Sequence, residues 1–280
     1  IEGSLAGGSD NNKFAFCDIY GIGNASTPKP ILFYSSAVSG ADNNNDSLIN
    51  CNFYDFYTSA ISLVNYNEGW VIQSNSFYST SNWLYAPNTA VLKIDANFTL
   101  TAHKVTQNYF GGTAPNCQGN VMDIGYSTTY YCMDIKGKST VSNNYFRRMR
   151  FYNVSILNNP AVYLINIRDN FNSEPYVIDN NQFGWTSDFA DSLHFSHNYI
   201  SGPPSIQDME AGCITMGGVG PVNNNKFSNI RCHSATNRIS LNVIRGGNPG
   251  APYINVQYNT LGDPSVPNSI VNYTIGPTFG

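Results

Sequence analysis

Two carboxylate pairs are the first places where this chain offers chemistry: Asp188 with Asp191, and Asp208 with Glu210. Glycoside cleavage needs one carboxyl to protonate the leaving oxygen and a second to activate water or attack the sugar. Alternation along a strand puts Asp208 and Glu210 on one face, whereas Asp188 and Asp191 fall in an expected loop after Trp185. Both pairs are read as ordinary surface acids. The basic run Arg147-Arg148-Met149-Arg150 is the one platform that a lyase, an acidic glycan or a neighbouring subunit would use. Alternation is expected to send Arg148 and Arg150 outward together, with Arg147 at a turn, as a solvated face.

Metal and nucleophile chemistry is weaker still. His194 and His197 are three apart, which on a strand sets the rings on opposite faces, while His103 and His233 stand alone. Asp42-Asn43-Asn44-Asn45-Asp46 resembles the start of a calcium loop, but Ser47 stands where Gly is wanted and Phe53 where the bidentate Glu belongs. There is no Gly-x-Ser-x-Gly, phosphate loop or dinucleotide fingerprint. The reading is therefore no catalytic residue, no metal and no cofactor.

The residues that recur are of another kind. Asn, one spacer and an apolar residue appear at Asn75-Ser76-Phe77, Asn108-Tyr109-Phe110, Asn144-Tyr145-Phe146, Asn181-Gln182-Phe183, Asn198-Tyr199-Ile200, Asn225-Lys226-Phe227 and Asn259-Thr260-Leu261. Successive apolar members from Phe77 to Phe183 lie 33, 36 and 37 residues apart, and the next intervals are 17 and 27. Repetition at tens of residues signals a solenoid or a propeller, in which each unit buries its apolar face against its neighbours. Asn suits a sharp corner because it tolerates positive φ, and corner amides stacked at the strand spacing of about 4.8 Å can hydrogen-bond in a ladder. The apolar residue two positions on then points inward as core.

Short β-branched or aromatic segments separate the corners, such as Ala161 to Ile167, Val91 to Ile94, Ile239 to Ile244 and Tyr253 to Gln257. No window sustains helical apolar spacing. The pattern resembles the right-handed parallel β-helix superfamily, the pectin-lyase-like fold, from about Asn50 to Leu261, with degenerate copies at Asn52-Phe53, Asn97-Phe98 and Asn170-Phe171. The expectation is an all-β, single-domain right-handed parallel β-helix over residues 1–280 with loop insertions and about ten coils. Residues 1–23 and 265–280 read as strand-like ends available for subunit contacts. The alternative architecture is a β-propeller, to which repeats of this length and the pairs Gly111-Gly112, Gly217-Gly218 and Gly246-Gly247 also belong. The resemblance brings the activity of acidic-polysaccharide enzymes into view. Polygalacturonase-like members carry Asn-Thr-Asp, Asp-Asp, Gly-His-Gly and Arg-Ile-Lys, and none of these strings occurs here.

Composition points outside the cell. Cys17, Cys51, Cys117, Cys132, Cys213 and Cys232 fall in three sequential pairs without metal-type spacing, so disulfides 17–51, 117–132 and 213–232 are the favoured reading among the possible pairings. Sequons for N-linked glycan stand at Asn24, Asn45, Asn97, Asn153 and Asn272. The chain begins at Ile1 without a leader, as a processed secretory product or a fragment would. Charged residues make up 11% against a usual ~25%, with a formal net charge of −4, which argues against nucleic acid. No apolar run reaches the ~18–20 residues needed to span a bilayer. The expected function is a non-enzymatic, secreted, glycosylated structural protein at the cell surface, self-assembling head to tail into a filament or layer. Two alternatives stand beside it. One is a glycan-binding adhesin or spike using Trp70, Trp83, Trp185, Tyr130 and Tyr131; the other is a polysaccharide lyase or hydrolase with a divergent site.

Overall fold

In the computed structural model, the described residues are 8–21, 31–81, 83–85, 89–96, 101–126, 129–153, 161–168, 176–185, 191–196, 209–218, 220–234, 239–246, 254–262 and 270–274. The chain winds as a parallel β-helix, and every strand pairing between coils is parallel. That excludes the propeller, whose blades are antiparallel sheets.

Four sheets form the walls. Sheet I carries eight strands: Lys13–Ala15, Ser47–Ile49, Val71–Gln73, His103–Thr106, Ser139–Ser142, Val177–Asp179, Gly220–Asn223 and Ile254–Gln257. Sheet II follows it around one corner with Asp18–Tyr20, Asn52–Tyr54, Ser76–Tyr78, Tyr109–Phe110, Tyr145–Phe146, Gln182–Phe183, Lys226–Phe227 and Thr260–Leu261. Sheet III is Trp83–Tyr85, Met122–Tyr126, Met149–Asn153, Leu193–Ser196, Ile230–Ser234 and Ile270–Thr274. Sheet IV is the broadest in residues per strand, with Ile31–Ala37, Ser59–Asn65, Thr89–Ala96, Thr129–Lys136, Ala161–Ile167, Met209–Met216 and Ile239–Gly246. A short pair, Asn43–Asn44 with Asn67–Glu68, fills the corner that returns to sheet I. Among the described residues sheets I and II hold eight rungs, against the ten coils expected, and one coil takes as many as 44 residues from rung to rung.

The corner between sheets I and II holds the amide ladder. Asn75, Asn108, Asn144, Asn181, Asn225 and Asn259 stand in one file. In the first five, backbone N–H and Nδ2–H both donate to Oδ1 of the next coil's Asn at 2.9–3.1 Å. The other amide hydrogen goes to a main-chain carbonyl, such as that of Ile72 for Asn108 and Val105 for Asn144. Each buried amide therefore satisfies itself and two backbone groups that a sharp corner would otherwise orphan.

The left-handed residue is not the ladder Asn. It is the one before it: Ser74, Gln107, Asn143, Asn180, Asn224 and Tyr258 have φ of 54–59°. Positive φ at a non-glycine costs about 1–2 kcal/mol, and here the shift of one residue is what aims the following amide along the helix axis. Phe183 pairs directly with Phe227 and Asn181 with Asn225; Asn198 lies outside the described residues. Cys51 and Cys17 occupy the two rungs before Asn75, with Asn75 Oδ1 accepting the Cys51 N–H at 2.9 Å.

Behind the ladder, Phe53, Phe77, Phe110, Phe146, Phe183 and Phe227 stack ring on ring, with centroids 4.6–5.3 Å apart and planes within 15° of parallel. All six are buried. Ile19 and Leu261 extend the file in register at its two ends. Outside the same sheet, Tyr20, Tyr54 and Tyr78 form a second stack, and Tyr109 lies over Tyr145. The one-coil repeat thus dictates both an inner and an outer column.

Candidate functional site

The outward residues of sheets III and IV carry most of the charge that the structure organises. On sheet IV, register sets Lys93 beside Asp134 and Asp95 beside Lys136, a two-by-two array of alternating sign. Arg168 closes it, with Nε 3.0 Å from Asp134 Oδ1 and Nη2 3.3 Å from Asp95 Oδ2. Asn166 Nδ2 donates to the same Asp134 oxygen at 2.9 Å. Burial pushes the Asp134 carboxyl upward and the Arg168 charge opposes it. Next to this array Tyr131 stacks on Tyr163 at 5.5 Å, and burial, with the nearby Glu210 carboxylate, pushes the Tyr163 phenol up to about 12. Glu210 is paired with Arg245 on the following strand; Asp208 lies outside the described residues. Chemically, these contacts tie coils together.

Sheet III shows the same economy. Arg150 makes a two-pronged contact to Asp123 on the preceding coil, Nε to Oδ1 at 2.7 Å and Nη2 to Oδ2 at 2.8 Å, and lies 5.1 Å over the Tyr152 ring. Arg148 is the left-handed turn residue, φ 56°, so it leaves the alternation that pairs it with Arg150. Its Nε reaches Asp191 Oδ1 at 2.6 Å, and its Nη1 donates to the Gly119 carbonyl. Arg147 donates to the Asn116 carbonyl and covers Trp185 at 5.0 Å. The basic run is therefore a clamp on the 111–120 segment and on the next coil, in place of the solvated platform expected. Asp191 is committed to Arg148; Asp188 lies outside the described residues.

The aromatics divide. Trp70 and Tyr130 are fully buried, so they belong to the core, and the Trp70 indole donates to the Asn43 carbonyl at 3.3 Å. Trp185 is exposed on one side of its Arg147 contact. Trp83 sits in register with Asp123 on sheet III. His194 is in register with Arg150 and Arg231, and His233 is in register with Ser196 on the same sheet. His197 lies outside the described residues.

At the corner leading into sheet I, Asp46 is buried and its Oδ1 accepts the Asn12 N–H at 2.6 Å. Burial raises its carboxyl. Among the described residues no three His, Cys, Asp or Glu side chains gather so as to hold a metal ion. Further along this corner His103 is wholly buried, and its Nδ1 accepts the Trp70 backbone N–H at 3.3 Å. Burial pulls the imidazole down to about 4, against a smaller upward push from the Asn67 backbone.

This depression has a sign. The unfolded chain binds a proton at His103 near its ordinary value of 6.5 and the folded chain does not, so the contribution to stability is complete above that value and disappears as pH falls toward 4. The expected loss is about 3 kcal/mol between pH 7 and 4. Urea unfolding across that range, for wild type and His103→Gln, checks it. The variant is expected to flatten the acid limb, and equal slopes would assign the acid sensitivity elsewhere.

All six cysteines are free thiols, against the disulfides expected. The expected pairs 117–132 and 213–232 join residues part of a coil apart, on different segments of the wall, whereas Cys17 and Cys51 stand one coil apart on successive rungs. Cys132 and Cys213 point into the core from sheet IV, Cys232 does so from sheet III, and Cys117 is buried in the turn Pro115–Cys117. Burial drives Cys117 and Cys232 up to about 12. Of the sequons, Asn45 is an exposed left-handed corner residue whose N–H binds the Glu68 carbonyl. Asn153 and Asn272 end or lie within sheet III strands. Asn24 and Asn97 lie outside the described residues.

The last described coil differs from the rest. Val256 and Leu261 are 48% and 61% exposed, although Val222 and Phe227, their register partners one coil earlier, are completely covered. Asn259 is the last amide of the ladder, and among the described residues no further Asn stands beyond it to take its backbone N–H. Sequence reasoning named the ladder and this terminal strand; it missed that Cys17 and Cys51 occupy ladder rungs, although Cys51-Asn52-Phe53 repeats the motif with Cys for Asn.

Fold and site together define a parallel β-helix whose polar and aromatic residues run in files along its axis. No family model matches the chain, and neither does any curated protein or solved structure. Among the described residues no helix is long and apolar enough to cross a membrane.

Proposed function

We propose that this protein is a non-enzymatic structural subunit, a secreted and glycosylated rod similar to the right-handed pectin-lyase-like helices, whose copies stack end to end into an extracellular filament or surface layer. The observation that carries this reading is the uncovered last coil. Val256, Leu261 and Asn259 each continue a file that is buried one coil earlier, so another copy laid on this face would extend the core and the ladder without a new kind of contact. At the opposite end Phe14, Ile19 and Phe33 are only partly covered, which offers the complementary apolar surface. A contact between two different ends does not close on itself and propagates as a fibre. With 11% charged residues, little repulsion opposes it.

Sizing by light scattering and negative-stain microscopy test the reading. Wild type is expected to form end-to-end oligomers that lengthen with concentration. Leu261→Asp, at a position already exposed to solvent, is expected to leave monomers with unchanged strand circular dichroism. A wild-type protein that stays monomeric at high concentration would overturn the assembly.

A further inference from the structure

We infer that Cys17 and Cys51 form a redox lock on the first two coils: a dithiol that small-molecule disulfides convert to a cross-coil bond. The two residues hold equivalent rungs at the corner between sheets I and II. The Asn52 N–H donates to the Cys17 carbonyl at 2.8 Å, and Asp18 pairs with Asn52 immediately after them. Register neighbours in a parallel sheet stand about 4.8 Å apart, inside the ~4.4–6.8 Å range of Cα separations that a disulfide bridges. Both thiols turn the same way, each donating to the carbonyl two residues back: Cys17 to Ala15 at 3.4 Å and Cys51 to Ile49 at 3.4 Å. Cys51 Sγ also reaches the Phe14 carbonyl on the first coil at 3.6 Å.

No two of the other four cysteines are register neighbours: Cys117 lies in the turn Pro115–Cys117, Cys132 and Cys213 on sheet IV, and Cys232 on sheet III. The register partner of Cys232 on the preceding coil is Phe195. The strands on either side of Cys132 and Cys213 share the intervening coil, with Met133 opposite Ile165 and Ile165 opposite Ile214, which leaves those two thiols separated by a whole coil. Where later coils carry an amide at this corner, each of the first two carries a free thiol.

Access orders the steps. Cys17 is partly exposed and Cys51 is buried, so the Cys17 thiolate attacks a disulfide RSSR, forming a mixed disulfide and releasing RSH. The Cys51 thiol, losing its proton to solvent, then displaces the second RS group, which leaves as the thiol. In balance, two protein thiols and RSSR give one protein disulfide and two RSH.

The test treats the native full chain with oxidised glutathione, followed by alkylation and peptide mapping. The expected result is a loss of two hydrogens from the intact mass, a linked pair of peptides containing Cys17 and Cys51, and slowed hydrogen exchange in Lys13–Ala15 and Asp18–Tyr20. Cys17→Ser removes the link, and the protection returns to the reduced level. A mixed glutathione adduct that persists on Cys17, full alkylation of both residues, or a link among the other four cysteines would overturn the lock. Exchange that is unchanged by a formed link would show that the bond has no locking effect and overturn it equally.

Discussion

Asn144→Ala is expected to lower the stability of the helix by about 3–5 kcal/mol. The side chain sits fully buried at mid-ladder. Its Oδ1 accepts the Asn108 backbone N–H and Nδ2–H, both at 3.0 Å, and its Nδ2 donates to Asn181 Oδ1 and to the Val105 carbonyl, both at 2.9 Å. Truncation leaves the Asn108 N–H and the Val105 carbonyl without those partners in a space water does not reach, and each orphan costs about 1–3 kcal/mol. Asn259→Ala, at the less covered end, is expected to cost about 1 kcal/mol.

Asn144→Asp separates donor loss from volume loss. It keeps the acceptor but turns a carboxylate oxygen toward the Val105 carbonyl and Asn181 Oδ1, so the damage at neutral pH should equal or exceed that of Ala. Burial and repulsion raise that carboxyl above its ordinary value, and acid should recover part of the deficit as protonation restores a donor. Urea unfolding with hydrogen exchange resolved by coil measures both. A loss below 1 kcal/mol for Asn144→Ala would mean the amide file is an ornament of the fold.

Phe183→Ala is the second large effect, at about 3–5 kcal/mol. The ring lies 4.9 Å from Phe146 at 4° and 4.8 Å from Phe227 at 6°, so its removal opens a void between two aromatic faces and ends both contacts. Phe183→Leu retains most of the volume and should cost about 1.5 kcal/mol or less. The gap between Leu and Ala measures the cavity, and the residual for Leu bounds the aromatic part, expected at about 0.5–1.5 kcal/mol. Thermal and urea midpoints of the two variants decide this. Equal losses would place the cost in aromatic stacking and not in packing volume.

Much of this architecture is legible from residue order. Asn-x-Phe marks the corner because Asn must face along the axis and, after one spacer, Phe must face inward; both demands act within three residues. Where the demand comes from the neighbouring coil, sequence carries less. Cys17 and Cys51 fill ladder rungs that a search for Asn passes over. Trp70 and Tyr130 read as surface aromatics, yet both are core, and only the winding of the preceding coil shows it. Arg148 leaves its alternating row because its own φ is positive, and Asp191, 43 residues away in the chain, defines what it binds. Of the three cysteine pairings expected from sequence order, only 17–51 spans one full turn, the separation at which a solenoid makes its contacts.

The ladder also works as a ruler with one free side. From rung to rung it spans 34, 24, 33, 36, 37, 44 and 34 residues, yet donor–acceptor distances between successive amides vary by only a few tenths of an ångström. All of that length variation is absorbed before the next corner is reached. A graft of several residues into the excursion between Phe110 and Met122 should leave the count of rungs intact, whereas one residue inserted between Gln107 and Tyr109 would displace the Asn108 amide from its own rung. The protein is therefore a frame with one edge that must not change and another on which new surface can be written.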